Sequence, residues 1–254
     1  MKQTRNITVM LEREAIYRGP LVLVNKDHPV QVPLPIIQLA QVAPGIRLER
    51  QAALLYQAVM QATGAAAHIQ PVSGYRSQDE QARLFTDALR AHGEAYTHTY
   101  VALPGCSEHQ TGLALDVGEQ GDDIDFITPR FPYHGVCQRF REVAVHHGFI
   151  QRYPAGKEWL TGIGHEPWHF RYVGFPHSLI ISQLGFTLEE YVQWVKAFPL
   201  HRQPYQLVAG KRAFAVGYVP AQGHFTEIAL PGAPYTVSGN NVDGFIVALW
   251  GGAA

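Results

Sequence analysis

Residues 164–169 read Gly-His-Glu-Pro-Trp-His, and the proline inside this stretch constrains the fold more than any other residue. As a bare pattern it satisfies H-E-x-x-H, in which two histidines on one helical face hold zinc and the glutamate acts as base. That geometry requires a helix. Pro167 has no amide hydrogen and disfavours helical backbone at Glu166, while Gly162 and Gly164 weaken a helix further. The segment is therefore expected to be extended. In a strand without a bend, Glu166 and Trp168 face one way and His165, Pro167 and His169 the other. At most one of the two histidines then needs to be a ligand, and the remaining donors must come from elsewhere.

They are found some fifty residues upstream, in Cys106-Ser-Glu-His-Gln-Thr-Gly-Leu-Ala-Leu-Asp116. This stretch contains S-x-H-x-x-G-x-A-x-D, with His109 and Asp116 seven residues apart. Gly112 permits a turn, and Asp116 follows small and apolar residues on an expected strand. A histidine at a loop edge and a carboxylate on the adjoining strand can converge on one metal. Two histidines and one aspartate leave the fourth position of zinc open for water. A third element, Ser73-Gly-Tyr-Arg-Ser77, sets Arg76 at a strand-to-helix junction, where a guanidinium can meet a carboxylate or a developing oxyanion. Taken singly, a buried histidine is usually a hydrogen-bonded core residue, Arg76 a helix-end charge and Asp116 a strand-end cap. It is their combination that points to chemistry.

The surroundings read as interleaved helices and strands without a regular βαβ period, which favours an α+β fold. Leu21 to Val30 begins as a strand and breaks at a turn. Residues 46–62 have helical periodicity, with Leu54, Leu55, Ala58, Val59 and Ala62 on one side and Gly64 as the stop. A strand at 68–73 precedes Ser77-Gln-Asp-Glu80, a capping box opening a helix that ends near Gly93. Further strands are expected at 113–117, 149–153 and 169–173, and helices at 139–147 and from Thr187. From about Tyr205 the chain becomes strand-rich and turn-punctuated. The expected division is a catalytic domain over 1–200 and a small β-rich C-terminal subdomain over 201–254.

The 254 residues are 46% hydrophobic and 16% charged, enough for one ordinary core with a small accessory unit. With 20 basic and 21 acidic side chains the net charge is 20 − 21 = −1, and no Lys/Arg run suggests a nucleic-acid or anionic-membrane partner. No segment approaches the ~18 apolar residues of a membrane span. Lys2 and Arg5 are followed by no apolar run, so no signal peptide is read and a cytoplasmic location is expected. Two cysteines, Cys106 and Cys137, allow neither a disulfide framework nor a cysteine-rich zinc site and are expected to be free thiols. The acidic loop Gly121–Asp125 lacks a full calcium-loop pattern and reads as solvated.

SGYRSQDEQ, SEHQTGLALD and EPWHFRYVG, in that order, closely resemble the VanY-type D-alanyl-D-alanine carboxypeptidases. These belong, with the D-Ala-D-Ala dipeptidases, to the lysostaphin-like and hedgehog-like zinc fold, and the resemblance covers roughly residues 20–200. It implies a small, mostly antiparallel sheet with flanking helices and one zinc ion per chain, held by His109, Asp116 and His169. It further implies Glu166 as general base, assisting attack by a zinc-bound water, and Arg76 as stabiliser of the transition state. Ser107 and Gln81 would line the substrate pocket, Trp168 would form its wall, and His165 would be a neighbour of undetermined direction. Neither Ser107 nor Cys106 is required as a nucleophile. The implied substrate is a peptidoglycan stem peptide or precursor ending in D-Ala-D-Ala. Sibling specificities are an L,D-carboxypeptidase, a D-Ala-D-Ala dipeptidase, an endopeptidase or both D,D activities in one chain; a non-catalytic zinc-bearing wall-binding module is the remaining alternative. The oligomeric state is not readable.

Overall fold

The computed structural model describes residues 7–253. The chain opens with strand β1 (Ile7–Glu12) and a 3₁₀ turn (Arg13–Tyr17). Then come β2 (Leu39–Ala43), β3 (Ile46–Glu49), helix α1 (Arg50–Thr63), β4 (Ile69–Ser73), α2 (Gln78–Tyr100) and β5 (Ala114–Glu119). They are followed by α3 (Gly135–His146), β6 (Phe149–Tyr153), a single turn α4 (Glu158–Thr161), β7 (Glu166–Tyr172) and α5 (His177–Leu184). The remainder is α6 (Leu188–Trp194), β8 (Tyr205–Ala209), β9 (Arg212–Pro220), β10 (Phe225–Leu230), β11 (Tyr235–Gly239) and β12 (Gly244–Ala253). None of the described helices is long and apolar enough to cross a membrane.

Two compact units emerge, one of Met1–Leu23 with Leu188–Ala254, the other of Val24–Thr187. These are not the expected segments 1–200 and 201–254. β1 pairs antiparallel with β10 along its whole length, Ile7 opposite Leu230, which draws the start of the chain into the β-rich unit. Long-range strand pairing of this kind leaves no local signal.

The β-rich unit carries a four-stranded antiparallel sheet in the order β11-β12-β9-β8 beside the β1-β10 pair. Ile16, Leu200, Val219, Ile228, Leu230, Phe245 and Val247 form its core. Leu21 to Leu23, expected to start a strand, are buried without forming one. They are held by isolated bonds instead: Leu21 N–H to Ser238 Oγ, Leu23 N–H to the Asn240 carbonyl, and Asn241 Nδ2 to the Leu23 carbonyl.

The unit Val24–Thr187 is built on the sheet β4-β5-β7-β6, every pair antiparallel. On one face Phe170 of β7 meets Phe131 and Phe140 edge-on at centroid distances of 5.6 and 5.1 Å, and α1 packs on α3. Such rings combine a large buried apolar area with a favourable T-shaped geometry. The opposite face carries the polar residues described below.

Helix α1 starts four residues later than its periodicity suggested, because Ile46–Glu49 pairs in a hairpin with β2. Glu49 then caps the helix through its own carboxylate, accepting from the Gln51 and Ala52 amides. The buried face consists of Ala52, Ala53, Tyr56, Val59 and Thr63, while Leu54 is exposed, so only part of the expected apolar stripe points inward. Gly64 ends it in the left-handed region as expected. The Ser77–Glu80 capping box is present in both directions, and α2 breaks its helical geometry at Gly93 before resuming to Tyr100. Cys106 and Cys137 are both free.

Candidate active site

Asp116 sits near the middle of the sheet, opposite Ser73 of β4 on one side and His169 of β7 on the other. Cross-strand pairing alone therefore brings two of the sequence-predicted donors together. The third, His109, lies on a 3₁₀ turn (Glu108–Thr111) that leads directly into β5. Gly112 ends that turn at φ +70°, and a Cβ there would come within 2.8 Å of Leu34 Cδ2 and 3.0 Å of the Glu49 nitrogen. Only glycine fits, which is why the motif can fold back tightly enough to set His109 over Asp116.

His109 Nε2 lies 3.1 Å from Asp116 Oδ2, and His169 Nδ1 lies 2.9 Å from Asp116 Oδ1. The donor atoms of the three residues fall within 4.8 Å of one another, and all three side chains are buried. Asp116 Oδ1 makes no hydrogen bond despite its nearness to His169. A buried carboxylate oxygen left unpaired costs stability unless something else satisfies it, and a cation among two imidazoles and a carboxylate does so. His109 Nδ1 bonds to the Gly74 carbonyl at 2.7 Å, which makes Nδ1 the protonated nitrogen and leaves Nε2 with its lone pair facing Asp116. The residues thus fit a zinc ion. Burial pushes the Asp116 carboxyl up, but His109 and His169 outweigh it and hold it ionised well below the usual carboxylate range.

Glu166 begins β7, with Oε2 3.5 Å from His169 Nδ1. Its carboxyl is pushed up to about 8, chiefly by burial, with Asp116 and Glu108 adding to the rise and His169 and Arg76 opposing it. Such a carboxyl sits in the range where a side chain both takes and returns a proton. The strand expectation holds for this segment, but simple alternation does not. Along β6, Gln151 and Tyr153 face Phe170 and Glu166, so four steps of β7 match two of β6. That bulge turns Glu166 and His169 to the same side.

Arg76 donates from Nη1 to Gln81 Oε1 at 2.7 Å and from Nη2 to Ser73 Oγ at 2.8 Å, while its backbone amide bonds to the His109 carbonyl. Gln81, almost fully buried at the start of α2, completes the chain by donating to the Ala102 carbonyl at 2.7 Å. Its amide oxygen thereby holds the guanidinium while its nitrogen is anchored to the backbone, a supporting place beside its position in the cavity wall. Arg76, Gln81, Ser107, His109, Asp116, Glu166, Trp168 and His169 all line one cavity. Trp168 packs near Tyr100, at 6.4 Å between centroids. His165 is not among them: it stacks on Tyr133, whose hydroxyl lies 2.6 Å from Nε2. The site therefore divides H-E-x-x-H, keeping its glutamate and second histidine.

Three residues of this region escaped the sequence reading. Glu108, Arg152 and Arg171 are buried almost completely, with Arg152 Nε and Arg171 Nη1 each 2.8 Å from Glu108 Oε1. Burial alone would raise the Glu108 carboxyl, but the two guanidinium groups outweigh it and hold it far below the usual range. A signal existed: Phe149–Tyr153 and Glu166–Tyr172 each place an arginine next to an aromatic residue in a strand, and a buried charge requires a partner.

A family model described as D-alanyl-D-alanine carboxypeptidase (VanY) matches residues 45–175. Among curated relatives, the bifunctional D-Ala-D-Ala dipeptidase and D-Ala-D-Ala carboxypeptidase VanXYC of Enterococcus gallinarum is 44% identical over 175 residues. That match takes in 67% of this chain and 92% of the relative. Among solved structures, the vancomycin-resistance D,D-dipeptidase VanXYg, in complex with a phosphinate analogue of D-Ala-D-Ala, superposes with a TM-score of 0.94 at 46% identity. It covers 97% of this chain and 100% of its own. A mutant of the D,D-pentapeptidase VanY from a VanB-type resistance cassette, in complex with Zn(II), matches at 32% identity and TM-score 0.55, over 68% of this chain and 98% of its own.

Proposed function

The chain belongs to the VanY family of D-alanyl-D-alanine carboxypeptidases, and from that premise we propose how its own residues perform the reaction. It is a zinc-dependent peptidase that removes a terminal D-alanine, and its substrate is a peptidoglycan stem peptide or precursor ending in D-Ala-D-Ala. The observation that carries the residue assignment is the convergence of His109, Asp116 and His169 within 4.8 Å, in a cavity shared with Glu166 and Arg76. His109 Nε2, His169 Nδ1 and an Asp116 carboxylate oxygen would hold one zinc ion per chain. Zinc, when bound, acidifies a water to a pKa near 7 and polarises the scissile carbonyl. Glu166 is the base: it accepts a proton during attack and returns it to the leaving amine of D-alanine. Arg76, braced by Gln81 and Ser73, presents fixed positive charge where the carbonyl oxygen becomes negative. Ser107 and Trp168 bound the space the peptide enters.

Dipeptidase activity in the same site is a second reading, supported by the 44% identity to a bifunctional relative and the likeness to a D,D-dipeptidase. Both readings are tested by mass spectrometry after incubating the zinc-loaded protein with a stem pentapeptide, the corresponding tetrapeptide and D-Ala-D-Ala. Loss of one D-alanine from the pentapeptide is expected; cleavage confined to the tetrapeptide overturns the D,D assignment. Splitting of D-Ala-D-Ala establishes the dipeptidase reading, and its persistence removes that reading alone.

A further inference from the structure

Glu108 supplies no donor atom to the proposed zinc and has no part in the bond-making described above, yet its two carboxylate oxygens are used very differently. Oε1 accepts from Arg152 and Arg171. Oε2 is buried without a hydrogen bond and stands 3.5 Å from His169 Nε2, itself buried without one. Two complementary atoms, both orphaned and facing each other inside the protein, mark a hydrogen bond that closes with a small movement of either side chain. A carboxylate has no proton to give, so Nε2 must carry it, and Nδ1 is left with its lone pair on the side of Asp116. His109 shows the same logic with the nitrogens exchanged, its Nδ1 fixed by the Gly74 carbonyl.

We infer that Glu108 is a positioning residue: anchored by Arg152 and Arg171, it holds His169 in the tautomer and orientation that present Nδ1 to the zinc. This inference rests on the ligand set assigned under the proposed function. The two guanidinium groups matter because they fix Oε1 at two points, so the other oxygen cannot swing away from the imidazole. A carboxylate behind a metal-ligating histidine also makes the imidazole a better donor, and loss of such a partner costs about 10–100-fold in metal affinity.

Glu108→Gln keeps the shape and reverses the polarity. Its amide oxygen stays with the two arginines, and its NH₂ then faces Nε2 and favours the opposite tautomer. Zinc affinity, read by competition with a chromogenic chelator, is expected to fall about 10–100-fold. Affinity equal to wild type overturns the inference. Two buried arginines without a carboxylate can prevent folding, so the deciding measurement is made on the unaltered chain. In the zinc-loaded, ¹⁵N-histidine-labelled protein, two-bond ¹H–¹⁵N correlations should show His169 protonated on Nε2 and bare on Nδ1; a proton on Nδ1 overturns the inference. His169→Ala separates the two levels of failure. If that variant holds zinc as tightly as wild type, the ligand set itself falls. If it loses zinc while the wild-type ring shows the other tautomer, only the role of Glu108 falls.

Discussion

Glu166 and His169 are three residues apart on one strand, yet Glu166 Oε2 lies 3.5 Å from His169 Nδ1. Residues an odd number of steps apart on a regular strand point to opposite faces. The irregular pairing of β7 with β6 removes that parity, setting the four steps from Glu166 to Phe170 against two of β6. The proposed proton carrier and the proposed metal donor thereby share one cavity, and the functional predictions rest on that geometry.

Glu166→Gln should lower kcat by about 10²–10⁴-fold, the usual contribution of a positioned base. Zinc content, measured by mass spectrometry of the metal, should be unchanged because Glu166 supplies no donor atom. Full turnover in this variant would remove Glu166 as the base.

His165→Ala and His169→Ala should behave oppositely. His165 is engaged with Tyr133 outside the donor cluster, so its loss should leave zinc in place. His169→Ala should release zinc to a chelator that the wild type resists. Zinc loss from both variants would return His165 to the ligand set.

Arg76→Lys preserves the charge but not the fork that bonds Gln81 and Ser73 at once. A fall in kcat of about 10²–10³-fold is expected, on the scale of losing one oxyanion donor. KM should change less than kcat, since the charge is needed most in the transition state. Comparable kcat for Lys and Arg would show that charge alone suffices.

Gly112→Ala should destabilise the protein by roughly 1–3 kcal/mol, because alanine is strained at φ +70° and its Cβ would press on Leu34 and the Glu49 backbone. Chemical denaturation measures this, and a chelator assay should show weakened zinc binding through displacement of His109. An unchanged unfolding midpoint would show that the turn adapts freely.

His177, buried at the start of α5, has its imidazole pushed down to about 3 by burial. The unfolded chain titrates near 6.5, so below that pH it binds a proton that the folded chain refuses. Stability from this group is complete above about pH 6.5 and declines as pH falls toward 3, by up to ~1.4 kcal/mol per pH unit. Urea denaturation between pH 7 and 5 should therefore show a steeper loss for wild type than for His177→Gln. Equal slopes would mean that His177 is protonated in the folded protein.

The sequence by itself determined the local backbone that carries the site. Pro167 excludes a helix on chemical grounds, the Ser77–Glu80 capping box sets the start of α2, and the spacing of His109, Gly112 and Asp116 encodes a tight turn into a strand. Each is a short-range consequence of backbone geometry, so it is readable from neighbours in the chain. Tertiary structure decided what depends on partners far away in the sequence. The mispairing of β6 and β7 turned Glu166 toward His169, the pairing of β1 with β10 redrew the two units, and the hairpin β2-β3 shifted the start of α1. The burial of Glu108 between Arg152 and Arg171 belongs there too. Those residues lie 44 and 63 positions away from it, and only the packed sheet makes their charges neighbours.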